Sequence, residues 1–119
     1  MRSLLIDVTS VRFLAKDELT ALHADGFITD EEVGAASKSV NMMLFRHYLE
    51  RMIMNNENVR TDMRMMVRQL QPTNAGLPLE LFFFVKQTEW EAFEAVQSDI
   101  FDEVYAIINR FGLKLYQRV

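Results

Sequence analysis

The sequence predicts one domain of the α+β class, in which helices pack against a small β-sheet. The first observation is the run 79–85, in which every residue except Glu80 is apolar and which is far too short to cross a membrane. The second is a long amphipathic helical pattern over 90–111, which Gly112 ends. The third is the length of 119 residues, which suits one domain with a real hydrophobic core.

Composition excludes several classes of protein. Half of the residues are hydrophobic and a quarter are charged, which is ordinary for a folded soluble protein. The net charge of −4 argues against a nucleic-acid-binding protein, which needs a concentrated positive field. The absence of cysteine excludes disulfides, thiolate zinc sites and cysteine nucleophiles. The sequence predicts no signal peptide and no membrane-spanning segment.

The first half of the chain predicts a strand followed by helices. Residues 3–14 alternate between apolar and polar, but the alternation changes phase, which predicts a bent strand or two short strands. Residues 15–35 predict weak helices, with Thr29 and Glu32 as a capping box. Residues 40–55 predict a stronger helix with a wide apolar arc.

Two strands are predicted next. Residues 62–70 alternate methionine and valine with arginine, which favours a strand, and 71–76 have the composition of a loop. In 79–85, Phe82 and Phe84 point to the side opposite the leucines. Apolar residues on both sides predict a central strand that is covered on both faces.

The rest of the chain predicts the clearest helix and a last strand. Thr88 and Glu91 suggest a capping box at the start of this helix. Residues 113–119 alternate again and predict a strand. The apolar stripe of the helix is predicted to comprise Trp90, Phe93, Val96, Ile100, Val104, Ile107 and Phe111.

This order of elements is that of a ferredoxin-like βαββαβ sandwich, with extra helices in the first crossover and a bent N-terminal strand. One antiparallel sheet would carry the two main helices on one face. Phe82 and Phe84 then point to the other face, which is exposed to solvent in a free monomer. Either the helices of 15–36 cover that face or another subunit does.

No catalytic, cofactor-binding or metal-binding residues are predicted, so the chain is not expected to be an enzyme. His23 and His47 lack metal-ligand spacing, and a structural role is the simpler interpretation. The carboxylates lie on the exposed side of a helix or at a helix N-terminus. The methionines of 52–66 either fill the core or form an adaptable interface.

Charge is distributed unevenly along the chain. Residues 46–68 hold five arginines, whereas 89–103 hold six acidic residues and no basic one. This pattern fits either head-to-tail contact between identical subunits or two solvated faces of a monomer. The candidate subunit-interface residues are Phe82, Phe84, Arg64, Arg68, Asp99 and Asp102.

Long motifs in the second half carry a resemblance to a known family. The stretches MVRQL, GLPLE and QSDIFD lie in 62–117, which resembles the end of the cytoplasmic region of MscS-like mechanosensitive channels, in particular the longer bacterial members. Residues 2–14 resemble the segment in which the family's β domain passes into its α/β domain, and 41–53 resemble the helix between this segment and the motifs of the second half. The matching positions are Met66 to Leu70, Pro72, Thr73, Gly76 to Glu80, Trp90, Phe93, Glu94, Val96 to Asp102, Phe111 to Lys114 and Gln117.

The resemblance implies a channel that opens under membrane tension in hypoosmotic shock. It implies a homo-oligomeric ring, typically a heptamer, whose cytoplasmic vestibule is built by this domain. Residues 1–10 would end the preceding β domain or extend the first strand, and 11–119 would form the C-terminal α/β domain. Met1 would then start a non-conducting fragment on the cytoplasmic side of the inner membrane, linked to the membrane only through the missing N-terminal part. The alternative is a free-standing soluble α+β module that dimerises or binds a small effector.

Overall fold

The computed structural model describes residues 2–34 and 39–116. The α+β class is confirmed, and each predicted helical region and each of the two internal strands contains an element of the expected type. The elements are strand β1 (Arg2–Ile6), helices α1 (Lys16–Ala24), α2 (Asp30–Gly34) and α3 (Asn41–Met54), strands β2 (Met66–Gln69) and β3 (Leu77–Phe82), and helix α4 (Trp90–Ile107). Short 3₁₀ turns lie at Val8–Ser10 and Ile108–Phe111.

The sheet is antiparallel, in the order β1-β3-β2, so β3 is central as predicted. On the side of β1 away from β3, Leu115 forms an isolated bridge with Ile6. The N–H of Tyr116 donates to the carbonyl of Leu5 at 2.9 Å, beside this bridge. The last strand predicted for 113–119 is therefore reduced to one bridge, and its residues 117–119 lie outside the described residues.

The prediction of a bent first strand is wrong, because the strand ends at Ile6 in a turn. The carboxylate of Asp7 accepts hydrogen bonds from the backbone N–H of Thr9 at 3.0 Å and from its hydroxyl at 2.7 Å. Such a side-chain cap stabilises a turn in place of extended chain. Phe13 then forms one isolated bridge with Val40. The change of phase in the sequence therefore marks this turn.

An aromatic cluster connects the helices on the core side of the sheet. Phe45 and Phe111 are fully buried, with ring centroids 5.4 Å apart. Phe27, between α1 and α2, packs against Phe111 and, edge to face, against Tyr48. The region of α1 and α2 therefore lies against α3 and the 3₁₀ turn that follows α4. The idea that the helices of 15–36 cover the other face of the sheet is wrong for the residues described.

Helix α4 packs on the core by Val96, Ile100, Phe101 and Val104, as predicted. Trp90 was wrongly included in this stripe, since it is 72% exposed. The 18 residues of α4 span about 27 Å, whereas strands of five or six residues span about 17–20 Å. The helix is thus longer than the strands, and in its first turn Phe93 still packs partly on the core whereas Trp90 is exposed to solvent.

The start of α4 also differs from the prediction. The N-cap is Glu89 and makes no side-chain hydrogen bond, so the capping box of Thr88 and Glu91 is not formed. By contrast, the box of Thr29 and Glu32 is confirmed, with hydrogen bonds of 2.9 and 3.1 Å. Sequence spacing alone does not distinguish these two cases, because both match the same pattern.

Asn41 joins three distant parts of the chain. Its buried side chain accepts a hydrogen bond from the N–H of Arg12 at 3.0 Å and donates one to the carbonyl of Ser10 at 2.9 Å. The hydroxyl of Ser10 accepts the N–H of Lys114 at 3.0 Å. The turn after β1, the start of α3 and the C-terminal segment are thereby fixed to one another.

Gly76 enters β3 in a conformation that side chains rarely adopt. Its φ is +107°, and a Cβ atom there would lie 2.8 Å from the carbonyl oxygen of Ile6 and 3.0 Å from the Cβ of Tyr116. Gly26 also has a positive φ, of +81°, but a Cβ there would meet nothing within 4 Å. Substitution at Gly26 would add backbone strain alone, whereas substitution at Gly76 would add both backbone strain and a steric clash.

We expect Gly26→Ala to lower the free energy of unfolding by about 1–2 kcal/mol, from the left-handed backbone alone. Gly76→Ala should cost about 2 kcal/mol more, because β1 must also move away from the new methyl group. Urea unfolding of both variants measures the difference. Equal costs would mean that the contact with Ile6 is relieved without penalty.

The ion pair of Arg12 and Glu18 predicts the response to acid. The Arg12 guanidinium and the N–H of Ala15 donate to Glu18 and lower the pKa of its carboxyl to about 2 from an ordinary 4.5. A carboxyl with a lowered folded-state pKa stabilises the fold above its unfolded pKa, and this stability is lost as the pH falls. Stability should therefore decline from about pH 4.5 toward pH 2.

The matched variant is Glu18→Gln, which keeps the shape but cannot titrate. Its stability in urea should fall less steeply between pH 4.5 and 2 than that of the parent. Parallel curves for the two proteins would contradict the assignment to Glu18.

Candidate functional site

The alternation of β3 creates two different faces of the sheet. Leu77, Leu79 and Leu81 are buried against the helices. Pro78, Glu80 and Phe82 consequently point to the opposite side. This side, here called the outer face, has no helix among the described residues packed over it.

The strand register places the neighbours of these residues on the same face. Glu80 lies opposite Ser3 on β1 and opposite Arg68 on β2. Residues directly opposite one another in an antiparallel pair share a face. The outer face therefore comprises Ser3, Leu5, Met66, Arg68, Pro78, Glu80 and Phe82.

A carboxylate in the middle of this face is held by one arginine. The Nε of Arg68 donates to Glu80 at 2.8 Å. The side chain of Glu80 is 11% exposed, whereas that of Arg68 is 53% exposed. Arg68 thus covers Glu80 and neutralises it, while its terminal NH₂ groups make no hydrogen bond with the residues described and remain free to bind another acceptor.

Beside this pair the face is apolar and partly open. A hollow of about 160 Å³ is lined by Arg64, Met66, Arg68, Glu80 and Phe82. The ring of Phe82 meets that of Phe84 edge to face, with centroids 5.3 Å apart. Phe84 lies beyond the end of β3 and is 39% exposed. The outer side of β3 is therefore not covered by a helix within residues 2–34 and 39–116, and the prediction that another subunit covers it stays a prediction.

The six residues proposed from the sequence fall on two surfaces. Arg64, Arg68 and Phe82 line the same hollow, and Phe84 contacts Phe82. Asp99 and Asp102 are exposed on α4, whose opposite side is buried in the core. The structure thus brings four of these residues together and separates the two carboxylates from them by the thickness of the domain.

A second polar cluster holds α2 in place. Glu32 accepts hydrogen bonds from Thr29 and contacts Arg51 at 3.1 Å and His47 at 3.3 Å. Burial raises the pKa of Glu32, but these three groups outweigh burial and hold that pKa below its ordinary value. Because α2 buries no side chain completely, these polar contacts add to the partial packing of Val33 on the core in positioning it.

The histidines have structural partners, in agreement with the sequence interpretation. His47 contacts Glu32, and His23 contacts Asp30 at 2.6 Å. Within residues 2–34 and 39–116, no group of three or more His, Asp or Glu residues could hold a metal ion.

Sequence reasoning missed the role of Glu80, which seemed only to interrupt an apolar run. A signal for the pair was present in the sequence. Both predicted strands alternate between apolar and polar residues, and Arg68 and Glu80 each occupy a polar position. What the sequence does not contain is the register that places the two opposite each other. The partner therefore becomes visible only once the strands are paired.

The model of the family described as "Mechanosensitive ion channel MscS, C-terminal" matches residues 32–115. The chain belongs to this family. The match includes α3, β2, β3 and α4, and with them the outer face except for its residues on β1. MscS is a channel family, not an enzyme family. No solved structure matches the chain significantly.

The resemblance noted in the sequence is thus confirmed for the MscS C-terminal domain. None of the helices in the described part of the chain is both long and apolar enough to cross a membrane.

Arg68 and Arg64 allow a matched test of the buried carboxylate. Arg68→Met should lower the free energy of unfolding by about 1–3 kcal/mol, because Glu80 loses its counter-charge while the apolar stem is kept. Arg64→Met should cost less than about 0.5 kcal/mol, since Arg64 has no ion-pair partner among the described residues. Urea unfolding measures both.

Combining Arg68→Met with Glu80→Gln should recover part of the loss, because the buried charge is then removed. If the two arginine variants were equally stable, Glu80 would not depend on Arg68.

Proposed function

We propose that the chain is a cytoplasmic domain of an MscS-like channel that opens when membrane tension rises in hypoosmotic shock. The observation that carries this proposal is the family match over 32–115, which spans most of the described elements. The domain would build the wall of a cytoplasmic vestibule and filter solutes at its openings, and would not conduct ions by itself.

The proposal includes a homo-oligomeric ring, in the intact channel a heptamer, in the inner membrane. Oligomeric assembly is supported by the membership of MscS domains in oligomeric channels. It is further supported by the open, partly apolar outer face of the sheet, since contiguous apolar patches commonly mark contact surfaces.

We also propose a ferredoxin-like arrangement for the fold. The order β1-β3-β2, with Leu115 bridged to the free side of β1, supports this assignment. The helices α1 and α2 would be insertions in the first crossover. Residues 1–10 would extend the first strand or end a preceding β domain, and 11–119 would form the C-terminal α/β domain.

The role of the domain can be tested in bacterial cells that lack mechanosensitive channels. The protein that contains this domain should raise survival after sudden dilution and produce tension-activated currents in membrane patches. Phe111→Ala should abolish both, because it removes a fully buried ring and costs about 3–5 kcal/mol. The control Glu57→Gln changes an exposed residue and should leave both unchanged.

The encoding gene gives an independent test. Several apolar segments of about 20 residues should be encoded in frame upstream of Met1. A stop codon and a ribosome-binding site directly upstream would overturn the channel assignment in favour of a free-standing module.

A further inference from the structure

We propose that the outer face of the sheet binds α4 of a second copy of this chain. This inference rests on the proposed channel function, in which several copies assemble. Beyond that function, it specifies which two surfaces meet and which side chains pair across the contact. The contact joins two different surfaces, so it is heterologous and can close into a ring.

One surface carries two cations that can bind a further carboxylate. Arg64 makes no ion pair or hydrogen bond with the described residues, and Arg68 uses only its Nε to bind Glu80. Both line the hollow next to the partly exposed ring of Phe82. The outer face thus combines two available guanidinium groups with an aromatic surface.

The other surface is a stripe along α4 that the core does not use. Its members are spaced three or four residues apart, so they lie along one side of the helix. All are exposed, with Trp90 at 72% and Tyr105 at 42%. The α4 stripe comprises Trp90, Glu94, Ser98, Asp102 and Tyr105.

The carboxylates of this stripe have no partner within the described part of the chain. Neither Glu94 nor Asp102 forms an ion pair there, and no basic residue occurs between Lys86 and Arg110. An acidic stripe with exposed aromatic ends complements a face that carries arginines and phenylalanines. Asp99, also proposed from the sequence, lies outside this stripe.

The spacing of the charges is compatible on the two surfaces. The Cα atoms of Glu94 and Asp102, eight residues apart on α4, are separated by about 12 Å. Arg64 and Arg68 are four residues apart, which limits the separation of their Cα atoms to at most about 13 Å. This limit is compatible with one copy presenting both carboxylates to both arginines of the next at the same time.

Charge reversal tests the pairing. Arg64→Glu and Glu94→Arg should each weaken self-association at least about ten-fold, measured by sedimentation of the 119-residue chain at low salt. The double variant should return to within about three-fold of the parent, since the pair is restored with exchanged signs. The controls Lys16→Glu and Glu57→Arg reverse exposed charges elsewhere and should have little effect.

Disulfide cross-linking identifies the surfaces directly, because the chain contains no cysteine. A mixture of Met66→Cys and Ser98→Cys chains should form a covalent heterodimer on mild oxidation. Each variant alone should not, since both cysteines would then lie on the same kind of surface. Asp17→Cys on α1, mixed with Ser98→Cys, is the control for random collision.

Cross-linking of Met66→Cys with itself would identify a sheet-to-sheet dimer and would overturn the inference. A yield no higher than the Asp17→Cys control would overturn it as well. Neither result affects the proposed channel function, which is judged by survival and currents. Conversely, the survival and current measurements can contradict the channel function while the cross-link still forms. The two proposals can therefore fail independently.

Discussion

The fold depends on β3, whose two faces lie in different environments. It is the only strand among the described elements that pairs with both others, so the sheet exists only through it. On one side, Leu79 and Leu81 are completely buried beneath the helices. On the other, Glu80 needs Arg68 as a counter-charge. A shift of one residue in register would exchange these sides and bury the charge in the core.

Much of the fold could be predicted because the relevant signals are local. Periodicity identified α3, α4 and β3, and the positive φ of Gly112 agrees with its predicted place at the end of the last helical turn. The errors arise where a decision depends on distant residues. The first strand ends where Asp7 caps a turn, and Trp90 is exposed although Phe93, in the same helical turn, packs on the core. Neither fact is contained in spacing alone.

For the candidate site, as for the fold, the sequence predicted local features and not the pairing of distant residues. Alternation was sufficient to place Phe82 on the far side of the strand from the leucines, and Arg68 is exposed on the same face, while its place in a subunit interface stays a prediction. Its dependence on Glu80 was not predictable, because the register between β2 and β3 is set by the packing of the whole domain. The arginines lie on the outer face of the sheet and the acidic residues on the exposed side of α4. The distance between them depends on how helix and sheet stack, which no single segment of the sequence specifies.

The position of β1 has a mechanical consequence. This N-terminal strand is bonded to β3 on one side and meets Leu115 on the other. Hydrogen bonds in an antiparallel pair run perpendicular to the strands. A pull on residue 2 along the strand axis therefore loads all of these bonds in shear at once, whereas a pull across the sheet would break them one after another. Force that entered the domain through its first strand would be transmitted to the whole sheet before any part of it opened.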